Sequence, residues 1–343
     1  MTIQFKDALP RLEAGSVPDA ALVREVFDAM LSGSWSPTQI AAFVVALRLR
    51  GETSEVIAAA AASMRAHMVQ VTHAFPRLLD TCGTGGDGRG SLNLSTGAAI
   101  IAAAAGVPVA KHGNRAISSR SGSADVLESL GISLAVPPDA AHHVLEAANI
   151  AFLFAPAHHP ALRHVGPARK ELGVRTVFNC LGPLANPARA THQLLGAYDD
   201  ALRPVLARTL AQLGVERAWV VRSEDGMDEL SPFAPTRVTV LDQGVLSELV
   251  VTPADFGMAM SPEGAIDGGD APDNARVLQA VLRGEPHPSR EAFILNAAAA
   301  LCVAEGLVPR EAAERATEAL DSGKAEQTLE RWRAASQSAA AAA

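Results

Sequence analysis

The sequence has few cysteines, and their spacing excludes two kinds of site. Cys82, Cys180 and Cys302 are the only three among 343 residues, widely spaced and odd in number. This set matches neither a zinc-ligand spacing nor a disulfide framework, so a reducing cytoplasm is the simplest setting. A catalytic thiol at Cys82 is weighed against a small space-filling residue. The second interpretation is favoured because the sequence offers no specific base for the thiol.

The sequence also lacks an excess of positive charge and lacks long apolar runs. Lys and Arg number 29 against 37 Asp and Glu, and the net charge of −8 at pH 7 disfavours a general nucleic-acid-binding surface. No run of about 18 residues is apolar enough for a membrane span, and the N-terminus lacks a signal-peptide pattern. We therefore expect no nucleic acid and no membrane as partner. A hydrophobic content of 48% predicts a packed core.

The periodicity of the sequence changes near Leu78. Before it, apolar residues recur every three or four positions in three helical stretches, which begin near residue 19, after Ser36-Pro37 and at a predicted cap, Ser54. After it, strand and helix patterns alternate, and this indicates a mostly parallel sheet flanked by helices. The sequence thus predicts an α/β protein with a small all-helical N-terminal domain. Its predicted parts are a helical domain at 1–72 with part of 160–190 packed on it, an α/β domain at 73–335 and a disordered tail at 336–343.

The first polar stretch, DTCGTGGDGRGSLNLST at 80–96, follows a strand expected to end at Asp80 and precedes a helix expected near Ser95. Glycines allow positive φ, and successive backbone N–H groups at a helix N-terminus bind anions. A phosphate cradle is favoured over a tight turn with an ordinary cap. GTGGDG has the bare G-x-G-x-x-G spacing, but the helix begins too late for a dinucleotide site. The next strand also ends in Lys111 rather than in an acidic residue.

The second polar stretch, KHGNRAISSRSGSADVLESLG at 111–131, also lies between a predicted strand and a helix. Lys111 and Arg115 can meet phosphate charge, and hydroxyl and amide side chains can donate hydrogen bonds. Because ligands bind at the carboxyl ends of parallel strands, both stretches can face one ligand. The two polar stretches together predict a ligand that carries several phosphates. The alternative is a solvated loop of charged residues.

Two further segments carry candidate chemistry. SEDGMDEL at 223–230 places Asp228 beside Glu229 after a predicted strand, and this pair could hold Mg²⁺ together with phosphate oxygens, although plain acidic loops are common. His158, His159 and His164 have no carboxylate near them in the sequence that could act as a further metal ligand, so a zinc site is disfavoured. One of Arg163, Arg169 and Arg175 could bind the carboxylate of an acidic co-substrate; otherwise they are surface or interface arginines.

These residues together resemble the anthranilate phosphoribosyltransferase family. DTCGTGGDG, NLST, KHGNRAISSRSGSADVLE, GVRTVFNCLGPLANP and DGMDE occur in this order, and the resemblance covers about residues 5–335. It implies a homodimer, Mg²⁺ dependence and the second step of tryptophan biosynthesis from chorismate. In that step the 5-phosphoribosyl group of 5-phosphoribosyl 1-diphosphate is joined to the amine of anthranilate. Arg120 stands where lysine is common and Ala116 where serine is common, and neither change removes a required charge.

The resemblance also implies roles for individual residues. For the phosphoribosyl diphosphate it implies Gly83, Gly86, Asp87, Ser91, Asn93, Leu94, Ser95, Thr96, Lys111, His112, Gly113, Asn114, Arg115, Ala116, Ile117, Ser118, Ser119 and Ser123. For anthranilate it implies Gly83, Asn114 and Arg169, and for Mg²⁺, expected as two ions, Ser95, Asp228 and Glu229. No catalytic general base is expected, because the aromatic amine is neutral near pH 7 and positioning and electrostatics suffice.

Two alternatives to this function are considered. A pyrimidine nucleoside phosphorylase resembles the family in fold but has serines where this chain has the run His112-Gly113-Asn114. A non-catalytic nucleic-acid-binding relative should lack the intact KHGNR segment and carry a basic surface. Asn114 and Arg169 favour anthranilate over the first alternative, and the net charge of −8 disfavours the second.

Overall fold

A central seven-stranded sheet organises the chain. The computed structural model describes residues 2–13, 18–116 and 120–342. The strands are β1 (Leu79–Gly83), β2 (Val109–Gly113), β3 (Ile150–Phe154), β4 (His192–Gly196), β5 (Arg217–Ser223), β6 (Thr236–Asp242) and β7 (Val245–Val251). Their order across the sheet is β3-β2-β1-β4-β5-β6-β7. The first five strands run parallel, and β6 and β7 are antiparallel additions. The predicted mostly parallel sheet is confirmed.

Four helices form a bundle before the sheet begins. They are α1 (Phe5–Glu13), α2 (Ala20–Leu31), α3 (Pro37–Arg50) and α4 (Ser54–Ala66). Ser36 and Gln39 form a reciprocal capping box that begins α3. The cap of α4 is Thr53, whose hydroxyl accepts from the N–H of Val56, and not Ser54 as the sequence predicts. The predicted small helical N-terminal region is confirmed.

Eleven further helices are described after β1. They are α5 (Leu94–Ala104), α6 (Ser123–Ser129), α7 (Ala141–Ala148), α8 (Ala155–His158), α9 (Gly166–Leu172), α10 (Phe178–Leu184), α11 (Leu202–Gln212), α12 (Ala271–Leu282), α13 (Arg290–Glu305), α14 (Pro309–Asp321) and α15 (Lys324–Ala341). Short 3₁₀ turns occur at Pro138–Ala140, Pro160–His164 and Pro253–Phe256. None of the described helices is by itself long and apolar enough to cross a membrane, although the bent pair of α13 and α14 passes that test jointly.

The core consists of two apolar clusters, one on each face of the sheet. Leu194 and Leu195 are neighbours on β4, and the first packs with α5 and α13 while the second packs with the N-terminal bundle. This alternation follows from the two-residue period of a strand that is buried on both faces. Helices α9 and α10 contact α3 and α4, and the ring of Phe178 lies 5.3 Å from that of Phe27. A boundary between two domains at residue 72 stays a prediction.

Several predicted element limits are wrong. Strand β1 does not end at Asp80; it continues to Gly83 because it pairs with β4 as far as Gly196. Strand β7 and helix α1 have no counterpart among the elements predicted from the sequence. The tail at 336–343 is helical through Ala341 rather than disordered, since alanine is the strongest helix former and the hydroxyl of Ser336 accepts from the N–H of Ser133.

Candidate active site

The two polar loops emerge at one edge of the sheet. We call residues 84–93, between β1 and α5, the first loop, and residues 114–122, between β2 and α6, the second loop. Strands β1 and β2 are parallel neighbours, so their carboxyl ends lie side by side. The side-chain amide of Asn93 donates to the carbonyl oxygen of Ser121 at 3.4 Å and joins the loops directly. Ile117, Ser118 and Ser119 of the second loop lie outside the described residues.

The first loop exposes backbone N–H groups in conformations that suit glycine. Gly85 and Gly86 have φ of 70° and 79°, in the left-handed region where a side chain is strained. A Cβ on Gly83 would lie 2.6 Å from Oδ2 of Asp228, so the end of β1 needs a glycine for a different reason, close packing. Beyond Gly90 the loop is pinned, because the N–H of Leu92 donates to the carbonyl of Ile266 at 2.8 Å.

An acidic turn, residues 224–229 after β5, closes on this loop. Oδ2 of Asp228 accepts from the N–H of Gly85 at 3.0 Å, and Oε1 of Glu229 accepts from the N–H of Ser95 at 2.9 Å. Ser95, Asp228 and Glu229, the three residues predicted to hold metal, are therefore brought together at the N-terminus of α5. The turn itself is held by the hydroxyl of Ser223, which donates to the carbonyl of Glu229 at 2.6 Å.

Burial makes these carboxylates reluctant to ionise. It raises the pKa of Asp228 to about 6 and, with the adjacent Asp228 charge as a second cause, the pKa of Glu229 to about 8. The charge of Asp87 acts in the same direction on both groups. A cation at this turn would offset that penalty. No three His, Cys, Asp or Glu side chains of the described residues come together as a metal-binding group, so such a cation would need oxygen ligands from elsewhere.

A buried lysine lies beneath the two loops. The ammonium of Lys111 is 1% exposed and donates to the carbonyl of Thr81 at 2.5 Å and to Oγ of Ser95 at 3.4 Å. Burial lowers its pKa, and the carboxylate of Asp80 is the largest effect that opposes this. Asp80 accepts from the amide of the buried Asn186 at 2.8 Å. This network places one positive charge at the start of α5, below the acidic turn.

Arg115 is held away from the first loop. Its guanidinium donates to Asp125 at 3.0 Å and to Glu128 at 2.9 Å, and it lies 5.9 Å from the ring centroid of Phe154. The N–H of Ala116 is also occupied, by Asp125 at 3.0 Å. These contacts fix the second loop against α6. The phosphate contacts expected from both residues stay predictions.

Of the arginines predicted to bind a carboxylate, Arg169 is partly buried and lies beside an aromatic ring. It lies on α9 with its guanidinium 5.5 Å from the ring centroid of Phe178, and burial lowers its pKa. No carboxylate of the described residues forms an ion pair with it, whereas Arg163 is exposed and donates to the His164 ring at 3.2 Å. Arg175 donates to the carbonyl of Gly86 at 2.6 Å. None of the three candidate arginines forms an ion pair with a carboxylate of the described residues; Arg169 stands apart because Arg163 is exposed and Arg175 already binds the first loop.

Two features of the site were missed or left open by the sequence. The rings of His112 and His159 are buried with their Nε2 atoms 3.2 Å apart, and the separation of 47 residues between them gave no signal of this pairing. Burial raises the pKa of the Cys82 thiol well above its ordinary value, and the thiol accepts from the amide of Gln193. A thiolate nucleophile is therefore disfavoured, and the space-filling interpretation of Cys82 agrees with the structure.

Two family models and several known proteins match this chain. Residues 75–326 match the α/β domain of a glycosyl transferase family, and residues 6–68 match its helical bundle domain. An anthranilate phosphoribosyltransferase of Methylobacterium radiotolerans is 48% identical over 328 residues, 95% of each chain. One of Symbiobacterium thermophilum is 46% identical over 96% of this chain and 97% of its own.

Two solved structures are also similar to this chain over nearly its whole length. The anthranilate phosphoribosyltransferase of Thermus thermophilus superposes with a TM-score of 0.90 at 43% identity, over 96% of this chain and 99% of its own. The enzyme of Saccharomyces cerevisiae, 29% identical, superposes with a TM-score of 0.89 over 97% and 98%. That structure is a complex with PRPP, the 5-phosphoribosyl 1-diphosphate considered above, and Mg.

Proposed function

Because this chain belongs to the glycosyl transferase family, among its anthranilate phosphoribosyltransferases, we propose that the two loops and the acidic turn form the site of transfer. The enzyme transfers the 5-phosphoribosyl group of PRPP to the amine of anthranilate, in the biosynthesis of tryptophan. The observation that carries the assignment of the site is that the acidic turn closes on the first loop and on α5, while Asn93 joins the first loop to the second. Gly85 and Ser95 each donate a backbone hydrogen bond to that turn.

The chemistry sets what the site must supply. The C1–O bond of the donor breaks and its electron pair leaves with diphosphate, while the amine nitrogen bonds to C1 and loses a proton to solvent. Such a displacement has oxocarbenium character, and negative charge grows on the departing oxygens. Backbone N–H groups of the first loop, the N-terminus of α5 and the ammonium of Lys111 would stabilise that charge.

Ser95, Asp228 and Glu229 fit Mg²⁺, a hard cation that prefers oxygen ligands and octahedral geometry. Two carboxylates and one hydroxyl cannot fill six positions, which matches a cation that also uses phosphate oxygens of the donor. When bound, Mg²⁺ neutralises charge on the diphosphate. We infer two ions, one for each carboxylate. The complex of the Saccharomyces cerevisiae relative with PRPP and Mg supports the metal.

Arg169 would bind the carboxylate of anthranilate and so aim its ortho amine at C1. Its guanidinium pairs with no carboxylate of the described residues, and its position over Phe178 restricts its orientation. Asn114 and Gly83 would complete the anthranilate contacts. The Saccharomyces cerevisiae relative has also been solved in complex with 4-fluoroanthranilate, which supports an acceptor site of this kind.

A homodimer in the cytoplasm completes the proposal. Its support is the family resemblance, together with cysteines that are all free. Sedimentation at micromolar concentration tests the dimer, and a single species of about 36 kDa would contradict it, since one chain has a mass of 35.6 kDa.

The decisive experiment is a turnover assay. When the protein is mixed with anthranilate, PRPP and Mg²⁺, the fluorescence of anthranilate should decrease as it is consumed. One diphosphate should be released for each anthranilate consumed. Omission of PRPP or addition of a chelator should stop the reaction. Turnover of a pyrimidine nucleoside with phosphate, and none with anthranilate, would instead support the nucleoside phosphorylase alternative.

A further inference from the structure

Asn274, on the first turn of α12, is buried although it lies outside the predicted site. It is 3% exposed, and both ends of its side-chain amide are engaged. Its Oδ1 accepts from the N–H of Gly269 at 2.7 Å, and its Nδ2 donates to Oδ1 of Asn93 at 3.0 Å. A backbone N–H can only donate, so the Asn274 atom that faces Gly269 must be oxygen, and the atom that faces Asn93 must be nitrogen.

This chain of hydrogen bonds fixes the orientation of the Asn93 amide. Asn93 must present its oxygen to Asn274, so its NH₂ group points the other way and donates to the carbonyl of Ser121 in the second loop. Asn93 occupies the N-cap position of α5, yet its side chain makes no capping hydrogen bond. An asparagine at this position usually caps its own helix. Here its amide reaches across to join the two loops instead.

The segment before Asn274 supports the same loop. Ser91 and Asp267 form an antiparallel bridge, and the N–H of Gly268 donates to the carbonyl of Gly90 at 2.9 Å. A Cβ on Gly268 would lie 2.6 Å from that carbonyl oxygen, so the two backbones are in close contact. Asp267 and Gly268, in the stretch between β7 and α12, therefore line one side of the first loop.

We propose that Asn274 is a positioning residue for phosphoribosyl diphosphate, acting through Asn93 and not by touching the substrate. By holding the Asn93 amide in one orientation, it keeps the first and second loops at a fixed separation before the donor binds. This proposal rests on the proposed function. It predicts a selective effect: binding of the donor depends on Asn274, and binding of anthranilate does not.

The test is Asn274→Asp, which has nearly the same shape but cannot donate to Asn93. The Asn93 amide then turns its NH₂ group toward residue 274 and away from Ser121. We expect the KM for PRPP to rise about tenfold, the equivalent of about 1.4 kcal/mol, with the KM for anthranilate unchanged within about twofold. The matched control is Asn149→Asp. Asn149 donates to the carbonyl of Ala103 at 3.1 Å, at the opposite end of β3 from the loops, and the change should leave both KM values unaltered.

A double-mutant cycle separates positioning from general stability. If Asn274 acts through Asn93, then Asn274→Asp should change the KM for PRPP by less than about twofold in an Asn93→Ala background. Equal rises in both KM values, or additive effects of the two changes, would overturn the proposal. Asn274→Ala also removes the donor to Asn93, and it replaces the Asp variant in the cycle if circular dichroism shows that variant unfolded. Wild-type protein that fails to consume anthranilate refutes the proposed function, whereas active wild type with an unchanged ratio of KM values refutes only the role of Asn274.

Discussion

The carboxylate of Glu229 accepts a 2.9 Å hydrogen bond from the backbone N–H of Ser95, at the N-terminus of α5. The helix therefore directs its positive end at a carboxylate whose pKa burial has raised to about 8. The same bond ties the acidic turn to the first turn of α5.

Neutralising both carboxylates should abolish the Mg²⁺ dependence. In Asp228→Asn with Glu229→Gln, the side chains keep their shape but lose the charge that attracts a divalent cation. We expect kcat/KM at saturating Mg²⁺ to fall about hundredfold or more. The thermal midpoint at pH 8 should rise at the same time, because the cost of burying two adjacent charges is removed. A Mg²⁺ titration of initial rates and a melting curve give both quantities.

The control for this pair is Glu224→Gln. Glu224 is an exposed carboxylate of the same turn and pairs with Arg237 at 3.3 Å. Its loss should leave the Mg²⁺ titration unaltered. An unchanged titration in the Asp228 and Glu229 double variant would count against the metal assignment.

Gly196 should be intolerant of alanine for a steric reason alone. An alanine Cβ at the end of β4 would lie 1.6 Å from the carbonyl oxygen of Asp228, so the acidic turn would have to move. We expect a loss of about 1–3 kcal/mol in the free energy of unfolding and a marked loss of activity, because the carboxylates of the acidic turn are displaced. Denaturant unfolding and the fluorescence assay measure the two effects. Gly166→Ala is the matched control, since no heavy atom lies within 4 Å of a Cβ there.

Arg169→Ala should separate the two substrates. Removing the guanidinium deletes the proposed partner of the anthranilate carboxylate, so the KM for anthranilate should rise about tenfold to hundredfold. The KM for PRPP should change by less than about threefold. Arg163→Ala removes an exposed arginine from the same segment and should change neither value. A matched loss for both substrates would contradict the assigned role.

Much of the site follows from local sequence and one general rule. The two polar stretches were predicted to meet because the carboxyl ends of neighbouring parallel strands share an edge, and they do meet, through Asn93 and Ser121. The acidic pair also follows a strand, and the sequence predicts that it holds Mg²⁺ together with phosphate oxygens. These inferences need only the order of elements and the residue types at their ends.

The remainder depends on contacts that no local pattern encodes. Asn274 is 181 residues from Asn93, and Arg175 is 89 residues from the Gly86 carbonyl that it binds. Arg115 was predicted to meet phosphate because it is basic, but Asp125 and Glu128 compete for the same guanidinium from the next helix. Tertiary packing decides such competitions, and composition cannot.

The buried pair of His112 and His159 predicts how stability depends on pH. With Nε2 atoms 3.2 Å apart, one ring must donate and the other must accept, so the two rings cannot both be protonated. Burial, with the charge of His158 as a second cause, lowers the pKa of His159 to about 4. Burial, with the charge of His159 as a second cause, lowers the pKa of His112 well below its ordinary value. Histidine in the unfolded chain titrates near 6.5, so the folded protein binds fewer protons below that pH. The stability that neutral His159 contributes is complete above about pH 6.5 and is lost as the pH falls toward 4.

His159→Gln tests this directly, because glutamine stays neutral at every pH. For a folded pKa of about 4, the loss from pH 8 to pH 5 is about 2 kcal/mol. Over this pH range the free energy of unfolding should therefore fall about 2 kcal/mol further in the wild type than in the variant. Only the difference is informative, because Asp80 and Asp228, with pKa values raised to about 6, give slopes of the opposite sign in both proteins. The exposed His143, changed to Gln, should reproduce the wild-type profile. If His159→Gln instead followed the wild type at every pH, the pKa of His159 would be the same in the folded and the unfolded protein. The neutral pair would then be refuted.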